Sequence, residues 1–410
     1  MNRVKGLVIL AGLGMSVSAL AQSTDQSRAY TNELLADANA RTSQLALANG
    51  VDVGGFTQIR FAVSSRDQAP PASEDLTTGF SMRRTKLWFQ SPVGDNEDWV
   101  IRIVGAFGSA GGGFVLDDAW VKHTFEEGWE FGAGQFKAPW LFEENTSSTK
   151  LLFADRSMFN EAFNQGRSQG LWIAMDNENF RFQGAITDGF GSANTEFGTE
   201  AADFNITVRG DFAFEGDMAV FGDATSWKGS EFAGRAGGAV FFQTGGGTAL
   251  GTGGTTVDAD AYGITIDGGV EGDGFNVFAA FAFVNTDVAG GTDADNMGIM
   301  VQGGWFASDD VELIAGLDFL VPDDTAPAPG DEMIVLRIGM NYYIIPNSHN
   351  AKLTAQINVA LEKFNDPLFV ASGGGAGVFG TGTGVANAFV NDPTGDPQIA
   401  FILQLQAALN

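Results

Sequence analysis

Half of the chain's 22 basic residues fall in less than a third of its length: Arg60, Arg66, Arg83, Arg84, Lys86, Arg102, Lys122, Lys137, Lys150, Arg156 and Arg167. Several sit in strict alternation with apolar neighbours. Arg60 lies between Ile59 and Phe61, Arg102 between Ile101 and Ile103, and Lys122 between Val121 and His123, while Arg84 and Lys86 alternate with Thr85 and Leu87. Period-two spacing puts such cations on one face of a strand and the apolar residues on the other. A row of fixed cations on one wall attracts anions. Other chemistry is poorly supplied. With two His and no Cys, there is little for a metal site or a thiolate, and no Ser-His-Asp set or His-Glu-x-x-His stands out. No enzyme, cofactor or metal is expected. A net charge of −28 argues against a nucleic-acid partner, because phosphate contacts need Lys and Arg.

The elements that must carry these cations are strands. Gly113–Trp140 shows the pattern best: two alternating runs joined by a tight turn at Glu126–Gly128, the second stopped by Pro139, which has no N–H for a ladder. From Val53 onward about sixteen such strands can be drawn, most near the ~9–11 residues that a tilted strand needs to cross hydrocarbon. Long connections (64–78, 137–167, 189–200, 245–257, 286–294, 321–331, 364–396) mostly alternate with short ones (92–96, 126–127, 177, 269–272, 307–309, 345–350). A transmembrane barrel with short turns at one rim and longer loops at the other produces this alternation; a soluble sandwich has no reason to. Two places break it: 109–112 is short, and 215–232 is long and reads as an extended turn.

The fold expected is an all-β transmembrane antiparallel barrel over 53–410. Phe275, Val277, Ala279, Phe281 and Phe283 form one lipid-facing set, and Ile299, Val301, Gly303 and Trp305 another; Trp99, Phe107, Phe125, Trp129, Phe136, Trp305 and Tyr342 are placed as interfacial girdles would be. A cation on the lipid face near mid-depth costs ~2–4 kcal/mol, so Arg60, Arg84, Lys86, Arg102 and Lys122 should face the lumen. Two uses remain open for them: a basic stripe for anions, or ion pairs that brace an inward loop.

That loop is 137–167. It mixes Lys137, Glu143, Glu144, Lys150, Asp155, Arg156, Glu161 and Arg167 with Trp140, Leu141, Phe142, Leu151, Leu152, Phe153, Met158, Phe159 and Phe163. A segment so apolar should fold into the barrel and form its constriction, with Glu143, Glu144, Lys150, Arg156 and Arg167 as the charges there. The Gly245–Gly254 run lacks the Lys-Ser/Thr of a phosphate loop, and Asp287, Asp293 and Asp295 lack EF-hand spacing.

Ahead of the strands, Met1–Ala21 reads as a secretory signal peptide: Arg3 and Lys5, an apolar run, then Ala19-Leu-Ala21. Residues 22–52 read as a periplasmic segment with a short helix, its Tyr30, Leu34, Ala38, Leu45 and Ala48 at helical spacing, closed by Asn49-Gly50.

The signal peptide, the short helix, Gly79-Phe-Ser-Met-Arg-Arg-Thr-Lys86, Val115-Leu-Asp-Asp-Ala-Trp-Val121 and Gly134-Gln-Phe-Lys-Ala-Pro139 together resemble the phosphate-selective porin O and P family, best over about 53–190. The resemblance implies a sixteen-stranded, homotrimeric outer-membrane channel with an inward third loop. It also implies a basic pore wall, here Arg60, Arg84, Lys86, Arg102 and Lys122, with Lys137 at the loop's base. The expected function is passive diffusion of small anionic solutes, phosphate among them, with outer-membrane lipid around the barrel. A non-conducting structural or adhesive barrel and a secreted soluble β-protein are the rivals. The strong acidity and the ending Ala-Leu-Asn410, without a terminal aromatic, depart from the family's pattern.

Overall fold

A sheet with one apolar face must bury it or turn it toward lipid, and its edges must be paired. The computed structural model describes residues 50–65, 76–94, 96–107, 113–125, 128–196, 202–245, 259–288, 293–323, 332–361 and 398–409. Sixteen strands run through them: β1 (Asp52–Ser65), β2 (Leu76–Val93), β3 (Asn96–Phe107), β4 (Phe114–Thr124), β5 (Trp129–Lys137), β6 (Arg167–Asp176), β7 (Phe180–Thr187), β8 (Phe204–Glu215), β9 (Ala233–Thr244), β10 (Ala259–Gly272), β11 (Phe275–Val288), β12 (Ala294–Phe306), β13 (Val311–Val321), β14 (Met333–Tyr343), β15 (Ala351–Ala360) and β16 (Gln398–Leu409). Each pairs antiparallel with the next, and β1 closes on β16 from Gly55 opposite Leu409 to Ser65 opposite Ile399. The signal peptide and helix expected before residue 50, Arg66, and the run from 246 to 254 lie outside the described residues.

The faces divide as the alternation predicts. Ile299, Val301 and Trp305 are exposed while Met300 between them is fully buried, and Ile266 is 58 % exposed between buried Thr265 and Asp267. Repeated around a closed barrel, this gives an apolar outer band far larger than water tolerates on a soluble monomer. The soluble reading therefore fails: Phe281 pairs with Ile299 on the outer face, not in a dry core. Trp99, Phe107, Phe125, Trp129 and Trp305 are exposed as girdle residues should be. Phe136 is not. It shares the inward phase of Glu130 and Gly132, is buried, and stacks on Trp172 with ring centroids 5.6 Å apart.

The short connections use turn chemistry. Asp273 and Gly274 join β10 to β11 with φ of 38° and 83°, the left-handed pair that a two-residue hairpin needs. Residues 216–232, long where the pattern wanted a short turn, form no strand. They carry a short 3₁₀ turn, Met218–Gly222, whose Met218 and Phe221 bury against Ala213, Ala233 and Phe142.

Connection 138–166 folds into the barrel with two short helices, α1 (Phe142–Asn145) and α2 (Met158–Phe163). Trp140, Leu141, Met158, Phe159 and Phe163 pack on Phe241, Ala280, Ala282, Met300, Leu320 and Val335 of the inner wall. Burying each large side chain is worth ~1.5–3 kcal/mol, so apolar burial is a large part of what holds this loop inside. The consequence is that β9 to β14 carry inward apolar residues such as Phe241, Met300 and Val335 where the loop packs.

Candidate functional site

Two β-bulges build the site. Between β1 and β2, Gln58 opposes Arg84 and Ile59 opposes Met82, so Arg83 has no partner. Between β3 and β4, Val104 opposes Asp118 and Gly105 opposes Leu116, so Asp117 is the extra residue. A bulge breaks the two-residue period locally. It lets Arg83 and Arg84, and likewise Asp117 and Asp118, point inward as consecutive pairs.

The first pair serves the loop. Asp155, 1 % exposed, accepts from Arg60, from Arg83 Nε at 3.0 Å and from Arg84 Nη2 at 2.9 Å. Burial works to raise its carboxyl, but the three guanidiniums outweigh that and hold it far below the usual carboxylate range. Next along the loop, Gln356 Oε1 accepts from Ala154 N–H at 2.8 Å, Asn341 Nδ2 donates to the Leu152 carbonyl at 2.8 Å, and Lys352 Nζ donates to that of Leu151 at 2.7 Å. Arg337 lies 4.2 Å from the centroid of Phe153, and Arg235 3.3 Å from that of Phe142. Thus Arg60 and Arg84 brace the loop, the second of the two uses left open above. Glu143 and Glu144 also turn into the loop. Glu143 accepts from the Ser157 N–H and hydroxyl, and burial pushes its carboxyl up. Glu144 binds Arg156 at 3.0 Å and Lys137 at 3.3 Å; these cations outweigh burial and lower it.

The remaining cations gather. A cavity of about 440 Å³ runs between the β1–β6 wall and the loop, lined by Lys86, Arg102, Lys137, Lys150, Arg156 and Arg167, with Asp118 as its one lining carboxylate. Lys86 bonds Asp117, and Arg167 bonds Asp117 and Asp118. Counting Asp117 and Glu144, which pair from behind, the local balance is 6 − 3 = +3. Among the described residues, Arg102 and Lys150 have no ion pair; Arg102 donates instead to Gln90 Oε1 at 2.9 Å. Lys122 lies outside the cavity, paired with Glu130 near the β4–β5 turn.

Alternation alone did not single out several groups that matter. Arg83 and Asp117 are hidden by their bulges. Trp88 and Trp120 line the cavity beside the cations, and their phase, shared with Lys86 and Lys122, was visible in the sequence. On the far wall, Arg209 and Arg235 interlock with Asp211 and Asp267, and Arg337 with Asp318 at 3.2 Å, all buried.

The profile of the family described as phosphate-selective porin O and P matches residues 57–356. No curated protein matches the chain in sequence. Among solved structures, an anion-selective porin from Comamonas acidovorans superimposes with a TM-score of 0.61 at 12% identity, over 87% of this chain and 99% of that one. A loop L8 deletion mutant of OmpT, an outer membrane protein of Vibrio cholerae, gives 0.55 at 12% over 87% and 98%, and a trimer form of OmpT 0.50 at 12% over 87% and 99%. At such identities these likenesses concern the fold.

Proposed function

The chain belongs to the phosphate-selective porin O and P family and is an outer-membrane porin, and from that premise we propose that the cavity beside the inward loop is its filter and that small anions are what it passes. One observation carries the reading: six cations converge on one cavity, and two of them, Arg102 and Lys150, have no carboxylate bound to them among the described residues. A fixed charge in a narrow aqueous path raises the local concentration of counter-ions. In this reading Lys86, Lys137, Arg156 and Arg167 set the background potential, and Arg102 and Lys150 meet the solute. Arg60 and Arg84 hold the loop that narrows the path, and Lys122 steadies the turn end. The reading assigns no enzymatic step and no cofactor. We propose further that the porin assembles as a homotrimer, in line with the trimer form of its OmpT neighbour; chemical cross-linking in detergent tests this.

The filter is tested by the reversal potential in planar bilayers under a tenfold KCl gradient. Replacing Arg102 and Lys150 together with Gln should move it toward the cation side. An unchanged potential sinks these two residues as the filter, and wild-type protein that shows no anion preference sinks the anion reading itself.

A further inference from the structure

The cavity is more than a charged passage, because indole and phenyl rings share its wall with the cations. Trp88, Trp120 and Phe136 line it, and Trp172 packs against the last two, with centroids 5.9 Å from Trp120 and 5.6 Å from Phe136. The backbone is shaped to seat two of these rings. Gly54 lies directly across from Trp88 and Gly132 directly across from Trp172. A Cβ on Gly54 would stand 2.1 Å from the Trp88 indole, and one on Gly132 1.1 Å from that of Trp172. Only glycine lets either ring lie down on its neighbouring strand.

Bare inorganic anions gain nothing from such a wall. They are met by donors and charge, and apolar rings only remove water that would otherwise solvate them. Solutes with a flat apolar ring gain from it, since aromatic pairs attract beyond their buried area when their centroids lie ~4.5–7 Å apart. Charge stands over the ring: the Arg102 guanidinium lies over Trp88, 5.8 Å from its centroid, and has no ion pair among the described residues. One small molecule can therefore set a carboxylate on the guanidinium and lay its ring against the aromatic side chains that line the same cavity.

We infer that the filter prefers small organic anions carrying an aromatic ring, an arene carboxylate being the simplest. This rests on the cavity being the anion filter and adds the class of solute. A purely structural role, in which the rings merely cover glycines and stiffen the sheet, predicts no preference among anions.

The test measures block of chloride current through single channels by benzoate, cyclohexanecarboxylate, acetate and inorganic phosphate at fixed ionic strength. Benzoate should half-block at about a tenth of the acetate concentration, with cyclohexanecarboxylate between them. In the Trp88→Leu/Trp120→Leu variant, which keeps apolar bulk but loses the flat faces, the acetate-to-benzoate ratio should fall to below about two. Arg102→Gln should weaken benzoate and acetate block alike. The difference in migration between unheated and heated protein on a denaturing gel checks that each barrel is folded; if the leucine pair fails to fold, Trp88→Leu alone is measured, and its ratio should fall at least threefold. Equal half-block concentrations for benzoate and acetate in the wild type overturn the inference, as does a ratio unmoved by the leucines. Chloride preference in the unblocked wild type reports separately on the filter, so the two ideas fail independently.

Discussion

Asp155→Asn separates bracing from filtering. Asp155 is buried against Arg60, Arg83 and Arg84, and breaking a buried ion pair by removing one partner costs ~3–5 kcal/mol. The rest of the anchor is larger. Leu151, Leu152 and Phe153 are at most 2 % exposed, which at ~1.5–3 kcal/mol each comes to roughly 4.5–9 kcal/mol. The side-chain bonds from Gln356, Asn341, Lys352 and Gln404 to the backbone of 151–154 add ~0.5–1.5 kcal/mol apiece. The loop should therefore stay in place while the lumen loses one negative charge. A unit charge acts on an ion ~8 Å away by about 0.5 kcal/mol in water, a factor of roughly two that favours anions and disfavours cations. The anion-to-cation permeability ratio should then rise about fivefold at low salt, with single-channel conductance changed by less than about twofold. Bilayer recordings under a KCl gradient read both quantities. A several-fold jump in conductance would mean that the loop has left the lumen and that the ion pairs, not apolar burial, hold it. A shift toward cations would refute the electrostatic reasoning outright.

Glu161 on α2 supplies a pH dependence. Burial raises its carboxyl to about 7, with Arg83 opposing and Asp155 and Glu144 adding to the rise. It is charged above that pH and neutral below, so anion preference should increase as pH falls from 8 to 6, and Glu161→Gln should reduce that rise in the profile of reversal potential against pH. On the far wall, Arg337→Met leaves Asp318 buried without its cation, beside the N–H groups of Met158 and Phe159, a loss of ~3–5 kcal/mol. Adding Asp318→Asn should recover most of it, as measured by the temperature at which the folded band is lost on gels.

Alternation was enough to draw sixteen strands and the lipid-facing sets, because a barrel wall between hydrocarbon and water imposes opposite demands on its two faces. Where those demands relax, the reading blurs. From β9 to β14 the inner face packs on the loop instead of meeting water, so Phe241, Met300 and Val335 point inward as apolar residues. No two-residue period can tell that wall from a buried sheet. Phe136 has the residue type of a girdle but the inward phase of its strand. Arg83 and Asp117 belong to bulges, and a bulge is a property of two strands in register, which one strand's sequence does not contain.

The acidity of the chain and the basicity of its cavity are compatible because charge acts locally. Fixed charges are screened within about 8–10 Å at physiological salt, so carboxylates elsewhere on the barrel do not set the potential in the filter. Many inward acids are moreover spent on inward cations: Asp155 on three arginines, Asp211 and Asp267 on Arg209 and Arg235, and Asp318 on Arg337. Such pairs fix the walls and the loop and nearly cancel one another. In the proposed filter a solute meets the remainder, Arg102 and Lys150, with the Trp88 ring at Arg102. Net charge therefore predicts how the chain behaves in bulk and says little about its pore; the count that governs selectivity is of unpaired charges within one screening length of the path.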